Sequence, residues 1–335
     1  MPNEPEAALP DFSHLTPDIV LHLVERSLDR RCSNLCRPLT SYINRVYDVE
    51  MDDGSWVVAK FYLPGRWSRD ALQDEQEFLF ELAEREIPVI APARGADGAF
   101  LQEHHGMYYA VFPKKGGRAC DEPTDREWLE LGRLLARVHS VGALHAPRDR
   151  IEIGPRQSTT AHVRFILEHD FLRPGLRSEY EAATRDLLDL VSPLFEEVEK
   201  IRIHGDAHGN NIIRRPGEPL TLIDFDDMAV GPPVQDLWML LPGHLRQSLA
   251  ELGLLLEGYE TFRAFDRGTL RLIEPLRAMR FIHFTAWCAR QKADGGFARL
   301  APDWGAESFW KKEIHDLRQQ HQEIVDSLEA PLPPL

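Results

Sequence analysis

The chain has 335 residues, enough for two packed domains, and 43% of them are hydrophobic, enough to give each domain a core. Its formal net charge of -15 argues against a nucleic-acid partner, because that class of protein needs a basic surface to neutralise phosphates. Four cysteines are too few for a disulfide scaffold, and there is neither an apolar leader nor a run of about 18 apolar residues. We therefore expect a cytoplasmic protein without a membrane partner.

The first third of the chain predicts a small antiparallel β-sheet with one helix against it. Runs rich in β-branched and aromatic residues flank a turn sequence, which is typical of a hairpin. In chain order the predicted elements are a capped helix from Thr16-Pro17, strands at 40–51 and 55–63 joined by a turn at Asp52-Asp53-Gly54, a helix at 69–86, and strands at 99–102 and 107–112.

The rest of the chain has mostly helical patterns. Thr124 and Glu127 have the spacing of a capping box and precede apolar residues at helical intervals. One β-rich stretch, 200–227, interrupts the helices. We therefore predict an α+β, bilobal fold, with a small β-rich N-terminal lobe at 1–113 and a larger, mainly helical C-terminal lobe at 114–335.

Three polar side chains in the β-rich stretch carry the strongest chemical signal. Asp206 and Asp224 each follow a short apolar run, and Asn211 lies five residues after Asp206. Phosphoryl transfer needs a carboxylate that accepts the hydroxyl proton and oxygen ligands that hold magnesium. Asp206 and Asn211 have the D-x-x-x-x-N spacing of a protein-kinase catalytic loop, and Asp224 then corresponds to the metal-binding aspartate. The sequence therefore predicts a protein-kinase-like fold.

The D-x-x-x-x-N spacing by itself is weak evidence. Asp206 could simply cap a turn, and Asn211 could be an ordinary loop residue. The His-Gly before Asp206 and the strand before Asp224 favour the catalytic interpretation.

A single lysine, Lys60, lies inside an apolar strand of the N-terminal lobe. Burying an ammonium costs free energy unless an anion meets it, and kinases use such a lysine to hold the α- and β-phosphates. The kinase lysine also pairs with a helix glutamate, for which we choose Glu75, although the sequence does not exclude Glu77. The alternative is a lysine at a strand edge whose ammonium reaches water.

The rest of the nucleotide site has weaker signals. The stretch before Lys60 has no glycine-rich phosphate loop, and Ser41 could contact a phosphate or be an ordinary loop serine. We place the adenine site at the connector between the lobes, including Phe112 and Pro113, where backbone groups can bond a purine edge.

Other polar residues are expected to have different roles. His139 lies on an apolar helix face and is predicted to pack in the core. Asp236 is expected to stabilise the C-terminal lobe. Asp226 and Asp227 could assist a metal or satisfy loop backbone groups.

Several stretches together resemble a known family. Two stretches resemble the broad superfamily of aminoglycoside phosphotransferase and choline kinase-like proteins: HGDAHGNNI at 204–212 and LIDFDD at 222–227. Four further stretches resemble a narrower family, the stress response kinase A (YihE/RdoA-type) Ser/Thr protein kinases. They are SYINRVY at 41–47, VVAKFYLPGRW at 57–67, GPPVQDLWMLL at 231–241 and IEPLRAMR at 273–280. The similarity covers nearly the whole chain.

The resemblance implies specific roles. Asp206 would be the proton acceptor, Asn211 and Asp224 would bind Mg²⁺, and Asp224 would be a second essential carboxylate. It also implies that Ser41 contacts ATP. The chain departs from the superfamily at Asn210, where a glycine is usual, and the loop would be strained there if it required a positive φ.

The leading hypothesis is therefore an ATP- and Mg²⁺-dependent Ser/Thr protein kinase of bacterial stress response. We expect it to be monomeric and to phosphorylate a protein hydroxyl. The alternative is a small-molecule hydroxyl kinase of the aminoglycoside, choline or homoserine type. A nucleotide-binding pseudokinase is a third possibility, against which the complete set of Lys60, Asp206, Asn211 and Asp224 argues.

Overall fold

The structure is a computed structural model in which residues 12–41, 43–291 and 302–329 are described. The helices are α1 (Pro17–Leu28), α2 (Arg69–Glu84), α3 (Asp125–Gly142), α4 (Thr160–Glu168), α5 (Pro174–Val191), α6 (Val234–Trp238), α7 (Leu249–Tyr259), α8 (Ile273–Gln291) and α9 (Glu307–Glu329). The strands are β1 (Cys32–Leu39), β2 (Arg45–Met51), β3 (Trp56–Phe61), β4 (Gln102–His104), β5 (Met107–Pro113), β6 (Arg118–Ala119), β7 (Ile201–Ile203), β8 (Ile212–Arg214), β9 (Thr221–Leu222) and β10 (Ala229–Gly231). None of the described helices is long and apolar enough to cross a membrane.

The chain forms two compact units, and each is discontinuous in sequence. Unit 1 consists of Met1–Cys120, Pro147–Arg150 and Asn210–Asp226. Unit 2 consists of Asp121–Ala146, Ile151–Gly209 and Asp227–Leu335. The division after residue 113 stays a prediction about domains, and it differs from these units because two later segments pack with unit 1.

The main sheet of unit 1 has five antiparallel strands in the order β1-β2-β3-β5-β4. One face packs against α1, with a core of Leu15, Val20, Leu23, Val24, Val49, Met51, Val57, Ala59, Phe61, Met107, Tyr109 and Val111. Side chains alternate along a strand, so Val58 and Lys60 of β3 lie on the opposite face. Val46 of β2 is opposite Lys60 in the register and shares that face.

Local signals positioned several of these elements correctly. Thr16 caps α1 through the Ile19 N–H, and Thr124 and Glu127 form a capping box at the start of α3. Gly54 has a φ of 78° in the turn between β2 and β3, as the hairpin sequence requires. Strand β1 was not predicted, because it contains Pro38 and most of its residues are exposed, which removes the alternating pattern.

A second sheet of unit 1, in the order β6-β8-β9, supports two candidate site residues. Asn211 comes directly before β8, and Asp224 lies two residues after β9. The Ile223 N–H donates to the Asn211 carbonyl at 2.9 Å, so the segments that carry these residues run side by side.

Unit 2 is mainly helical, and its helices α3 and α7 pack tightly against each other. A Cβ added at Gly132 would lie 2.0 Å from the Leu255 carbonyl oxygen, and one at Gly258 would lie 2.1 Å from the Leu129 carbonyl oxygen. Only glycine therefore lets these two helices approach so closely. His139 of α3 is fully buried, which confirms its prediction as a core histidine.

The packing of α8 and α9 partly buries a carboxyl group. Glu313 of α9 accepts a hydrogen bond from the Thr285 hydroxyl of α8 at 2.7 Å. Burial raises the pKa of Glu313 from 4.5 to about 7, although the Thr285 hydrogen bond opposes the shift. Between these two pH values the folded protein holds a proton that the unfolded chain releases.

The stability contribution of this proton is present below about pH 4.5 and is lost as the pH rises through about 7. We expect Glu313→Gln to stabilise the protein by about 1–3 kcal/mol at pH 8 and by much less at pH 4.5, because glutamine carries no buried charge. Urea unfolding at the two pH values measures the difference. Glu181→Gln, at an exposed site on α5, is the control, and an equal effect of Glu313→Gln at both pH values would contradict the account.

Candidate active site

Unit 1 contains a pocket on the open face of the five-stranded sheet. It encloses about 1110 Å³, part of it open to solvent. Its lining includes all five residues predicted to bind the nucleotide, namely Ser41, Lys60, Glu75, Phe112 and Pro113. Asp224 and the apolar side chains Val46 and Val58 line the same pocket.

The ammonium of Lys60 is surrounded by carboxylates. Lys60 is 8% exposed, and its Nζ lies 2.8 Å from Asp224 Oδ1. The same nitrogen lies 3.4 Å from Asp226 Oδ1 and 3.9 Å from Glu75 Oε1. Burial alone would lower the pKa of Lys60, but these three acids raise it well above its ordinary value. Lys60 is therefore charged at neutral pH.

Glu75, rather than Glu77, is the helix glutamate beside Lys60. Glu75 is 1% exposed on α2 and accepts hydrogen bonds from the Tyr62 hydroxyl at 3.1 Å and from Arg150 Nη2 at 3.2 Å. Burial raises the pKa of Glu75, and Lys60 opposes the shift. Glu77 instead contacts Arg148 at 2.8 Å. The nearest anion to Lys60 is Asp224, a pairing that we did not predict.

Asp224 is held in a strained backbone conformation. Its φ is 62°, a left-handed value that costs a non-glycine residue on the order of 1 kcal/mol. The next residue, Phe225, is buried and packs edge-to-face on Phe78 at 5.8 Å, which anchors the turn. The carboxylate of Asp224 is about half exposed. It is therefore positioned beside Lys60 but can still reach a ligand in the pocket.

Asp226 belongs to the ion-pair cluster of unit 1. Its carboxylate accepts hydrogen bonds from Asn44 Nδ2 at 3.1 Å and from Arg66, in addition to its contact with Lys60. Burial would raise its pKa, but Lys60 and Arg66 outweigh burial and lower it to about 2. The sequence left open a metal-binding role and hydrogen bonds to loop backbone groups, whereas these contacts are with side chains and favour a structural role.

Asn211 is buried at the end of a short turn, Gly209–Asn211. Asn210 is not one of the described non-glycine residues that have a positive φ. The strain that we considered at that position is therefore absent.

In unit 2, the loop that carries Asp206 is held by Asp236. The backbone N–H groups of His204 and Gly205 donate to the two Asp236 oxygens at 2.8 Å each. Gly205 has a φ of 84°, and a Cβ there would lie 2.2 Å from the Asp227 carbonyl oxygen. Glycine is therefore required directly before Asp206, and Asp236 stabilises the unit as expected.

The carboxylate of Asp206 lies close to basic side chains of unit 2. Arg280 Nη2 of α8 donates to Oδ1 at 2.7 Å, and His208 Nε2 lies 3.4 Å from Oδ2. Burial would raise the pKa of Asp206, but His208 and Arg280 hold it well below its ordinary value. Arg280 was not predicted as a site residue, because it is 74 residues further on; it ends the stretch IEPLRAMR, which was used only for its resemblance to a family.

Comparison with known proteins adds independent evidence. The model of the phosphotransferase enzyme family, APH, matches residues 36–273. Stress response kinase A of Escherichia coli strain K12 is 36% identical over 311 residues, covering 92% of this chain and 93% of that protein. Serine/threonine protein kinase RdoA of Salmonella typhimurium strain LT2 is 36% identical over 284 residues, covering 84% of this chain and 86% of that protein.

Solved structures show the same fold at low sequence identity. The amicoumacin kinase hAmiN, in complex with AMP-PNP, Ca²⁺ and Ami, superposes with a TM-score of 0.71 and 18% identity, covering 95% of each chain. This similarity agrees with the α+β, kinase-like fold predicted from the sequence. The chain belongs to the APH phosphotransferase enzyme family, and it is an ATP-dependent phosphotransferase that is similar to stress response kinase A.

Proposed function

We propose that this phosphotransferase is a Ser/Thr protein kinase that uses Mg²⁺ and ATP. The observation that carries the proposal is the buried ammonium of Lys60 among carboxylates, in a pocket that contains every predicted nucleotide residue. The protein acceptor is supported by the relative named serine/threonine protein kinase RdoA, at 36% identity. By analogy with the related stress response kinases, we place the enzyme in bacterial stress response.

The pocket of unit 1 has the chemistry of an ATP site. Val46 and Val58 offer an apolar surface to the purine, and Phe112 and Pro113 lie at the end of β5, where backbone groups can bond its edge. Lys60 would bind the α- and β-phosphates, with Glu75 keeping its ammonium in place. Phosphate oxygens can take the place of Asp224 beside Lys60. Ser41 lines the same pocket and would offer its hydroxyl to a phosphate.

Asn211 and Asp224 fit a magnesium ion. Mg²⁺ prefers carboxylate and amide oxygens and normally keeps ligands from water and from substrate phosphates. In the part of the chain that the structure describes, no group of three or more His, Cys, Asp or Glu side chains could hold a metal by itself. An ion held by Asn211, Asp224 and the nucleotide would neutralise charge on the phosphates during transfer. The half-exposed carboxylate of Asp224 is suited to this role.

Asp206 is the proposed proton acceptor. The acceptor hydroxyl oxygen forms a bond to the γ-phosphorus, the bond from that phosphorus to the β-phosphate oxygen breaks, and ADP leaves with the electron pair. The hydroxyl proton passes to Asp206. Because phosphoryl transfer involves little covalent chemistry by the protein, the main task of Asp206 is to align the hydroxyl.

A small-molecule acceptor is the second candidate. Its support is the similarity of the fold to small-molecule kinases such as hAmiN. Unit 2 also has a cavity beside Gly205 that encloses about 510 Å³, part of it open to solvent. Such a cavity can hold a small acceptor or one side chain of a protein.

One experiment separates the two acceptor classes. The purified protein is incubated with γ-labelled ATP and Mg²⁺, first with a generic protein acceptor and then with amino alcohols, homoserine and aminoglycosides. Phosphate on protein supports our proposal, whereas transfer only to a small hydroxyl compound favours the alternative. ATP binding without either transfer would contradict both.

We expect Asp206→Asn to lower kcat about 100-fold or more while KM for ATP changes little. The amide keeps the size of the side chain but cannot accept the proton. Steady-state kinetics with a fixed acceptor measures both constants. Asp189→Asn, at an exposed site on α5, is the control, and a variant that retains full kcat would exclude Asp206 as the base.

We expect Asp224→Asn to raise the Mg²⁺ concentration for half-maximal rate about 10-fold, because an amide binds Mg²⁺ more weakly than a carboxylate. Rates are measured across a Mg²⁺ titration at saturating ATP. Asp29→Asn is a matched control, since Asp29 also has a left-handed φ, 50°, on an exposed turn. An unchanged Mg²⁺ requirement in an active variant would count against Asp224 as a ligand.

A further inference from the structure

The carboxylate of Asp206 is fixed on one side by a residue from a different element. Arg280 Nη2 donates to Asp206 Oδ1 at 2.7 Å, and both side chains are partly shielded from water. A charge-assisted hydrogen bond of this length is stronger than one between neutral groups. The position of Oδ1 therefore depends on the position of α8.

The helix that carries Arg280 is anchored firmly. Glu274, in its first turn, is buried and accepts hydrogen bonds from the Leu245 N–H at 2.8 Å and from Gln320 Nε2 at 2.7 Å. Arg277 donates to the Gly243 carbonyl at 2.6 Å. These contacts fix the turn of α8 that precedes Arg280, so its guanidinium extends from a rigid support to a loop residue.

Behind Arg280 lies a pair of histidines. His283 Nδ1 is 3.1 Å from His162 Nε2, and both rings line the cavity that also includes Arg280 and Gly205. Burial, and then Arg280, lower the pKa of His283 to about 3, and burial lowers that of His162 to about 4. The imidazoles are therefore neutral at neutral pH. They line the same cavity as Arg280 without adding positive charge there.

We propose that Arg280 is a positioning residue of the phosphoryl transfer reaction. By holding Oδ1 of Asp206, it fixes the orientation of the carboxylate that would accept the hydrogen of the acceptor hydroxyl. An error of about 1 Å in the placement of a reacting group can cost about 100-fold in rate, so this ion pair contributes to kcat rather than to nucleotide binding. The inference rests on the proposed role of Asp206.

Arg280→Met removes the charge and keeps most of the side-chain length. We expect kcat to fall about 10- to 100-fold, with KM for ATP within about 2-fold of the wild-type value. Arg280→Lys keeps the charge with fewer donors and should restore part of the loss.

For Arg280→Ala, millimolar guanidinium in the assay should raise the rate several-fold, whereas Asp206→Asn should show no such rescue.

The matched control is Arg290→Met, near the end of α8, which removes the contact of an exposed guanidinium with the Phe165 ring. It should retain kcat, so that a general effect of removing an arginine from α8 is separated from loss of positioning. If Arg280→Met retains kcat, or if its loss is matched by Arg290→Met and is not rescued by lysine or guanidinium, the inference is wrong. An inactive wild-type protein would instead refute the proposed function itself.

Discussion

A charged ammonium inside a protein must be compensated, and this constraint organises unit 1. Lys60 is on the central strand β3, and its nearest anions come from α2 and from the turn after β9. Two arginines add to the cluster: Arg150 bonds Glu75, and Arg66 bonds Asp226. Three cations therefore face three anions, and removal of one partner would leave a buried charge unpaired, which is costly.

The same cluster explains why distant segments belong to unit 1. Arg150 is in the short segment Pro147–Arg150, and it donates to the carbonyl oxygens of Ala71 and Asp226 at 2.8 and 2.7 Å. Asp224 and Asp226 are in Asn210–Asp226, which also supplies strands β8 and β9. The ion pairs and the small sheet hold both segments on the N-terminal part of the chain. In our proposal a triphosphate brings further negative charge to a balanced cluster, and Mg²⁺ supplies the compensating charge.

Short-range patterns predicted much of this architecture. The hairpin follows from its turn residues, the capped helices follow from their capping residues, and the strand that carries the buried lysine follows from its apolar residues. All of these signals act within a few positions. The sequence also identified Asp206, Asn211 and Asp224 as candidate site residues. The signal was the spacing of Asp206 and Asn211 and the short apolar runs before Asp206 and Asp224. Strand β1 was missed because an exposed strand has no hydrophobic alternation.

Long-range partners could not be predicted in the same way. Asp224 is 164 residues from Lys60, and Arg280 is 74 residues from Asp206. No local pattern marks an arginine as the partner of a particular carboxylate, because the pairing depends on how helices pack. The choice between Glu75 and Glu77 was left open for a related reason, since it depends on the rotation of α2 about its own axis.

The central claim is that the Lys60 ammonium binds nucleotide phosphates. Titration calorimetry with MgATP and with adenosine, on the wild type and on Lys60→Met, tests it directly. We expect the variant to bind MgATP at least about 10-fold more weakly, a loss of about 1.4 kcal/mol, and to bind adenosine, which has no phosphates, as the wild type does. Equal weakening of both ligands, or no weakening of either, would contradict the account.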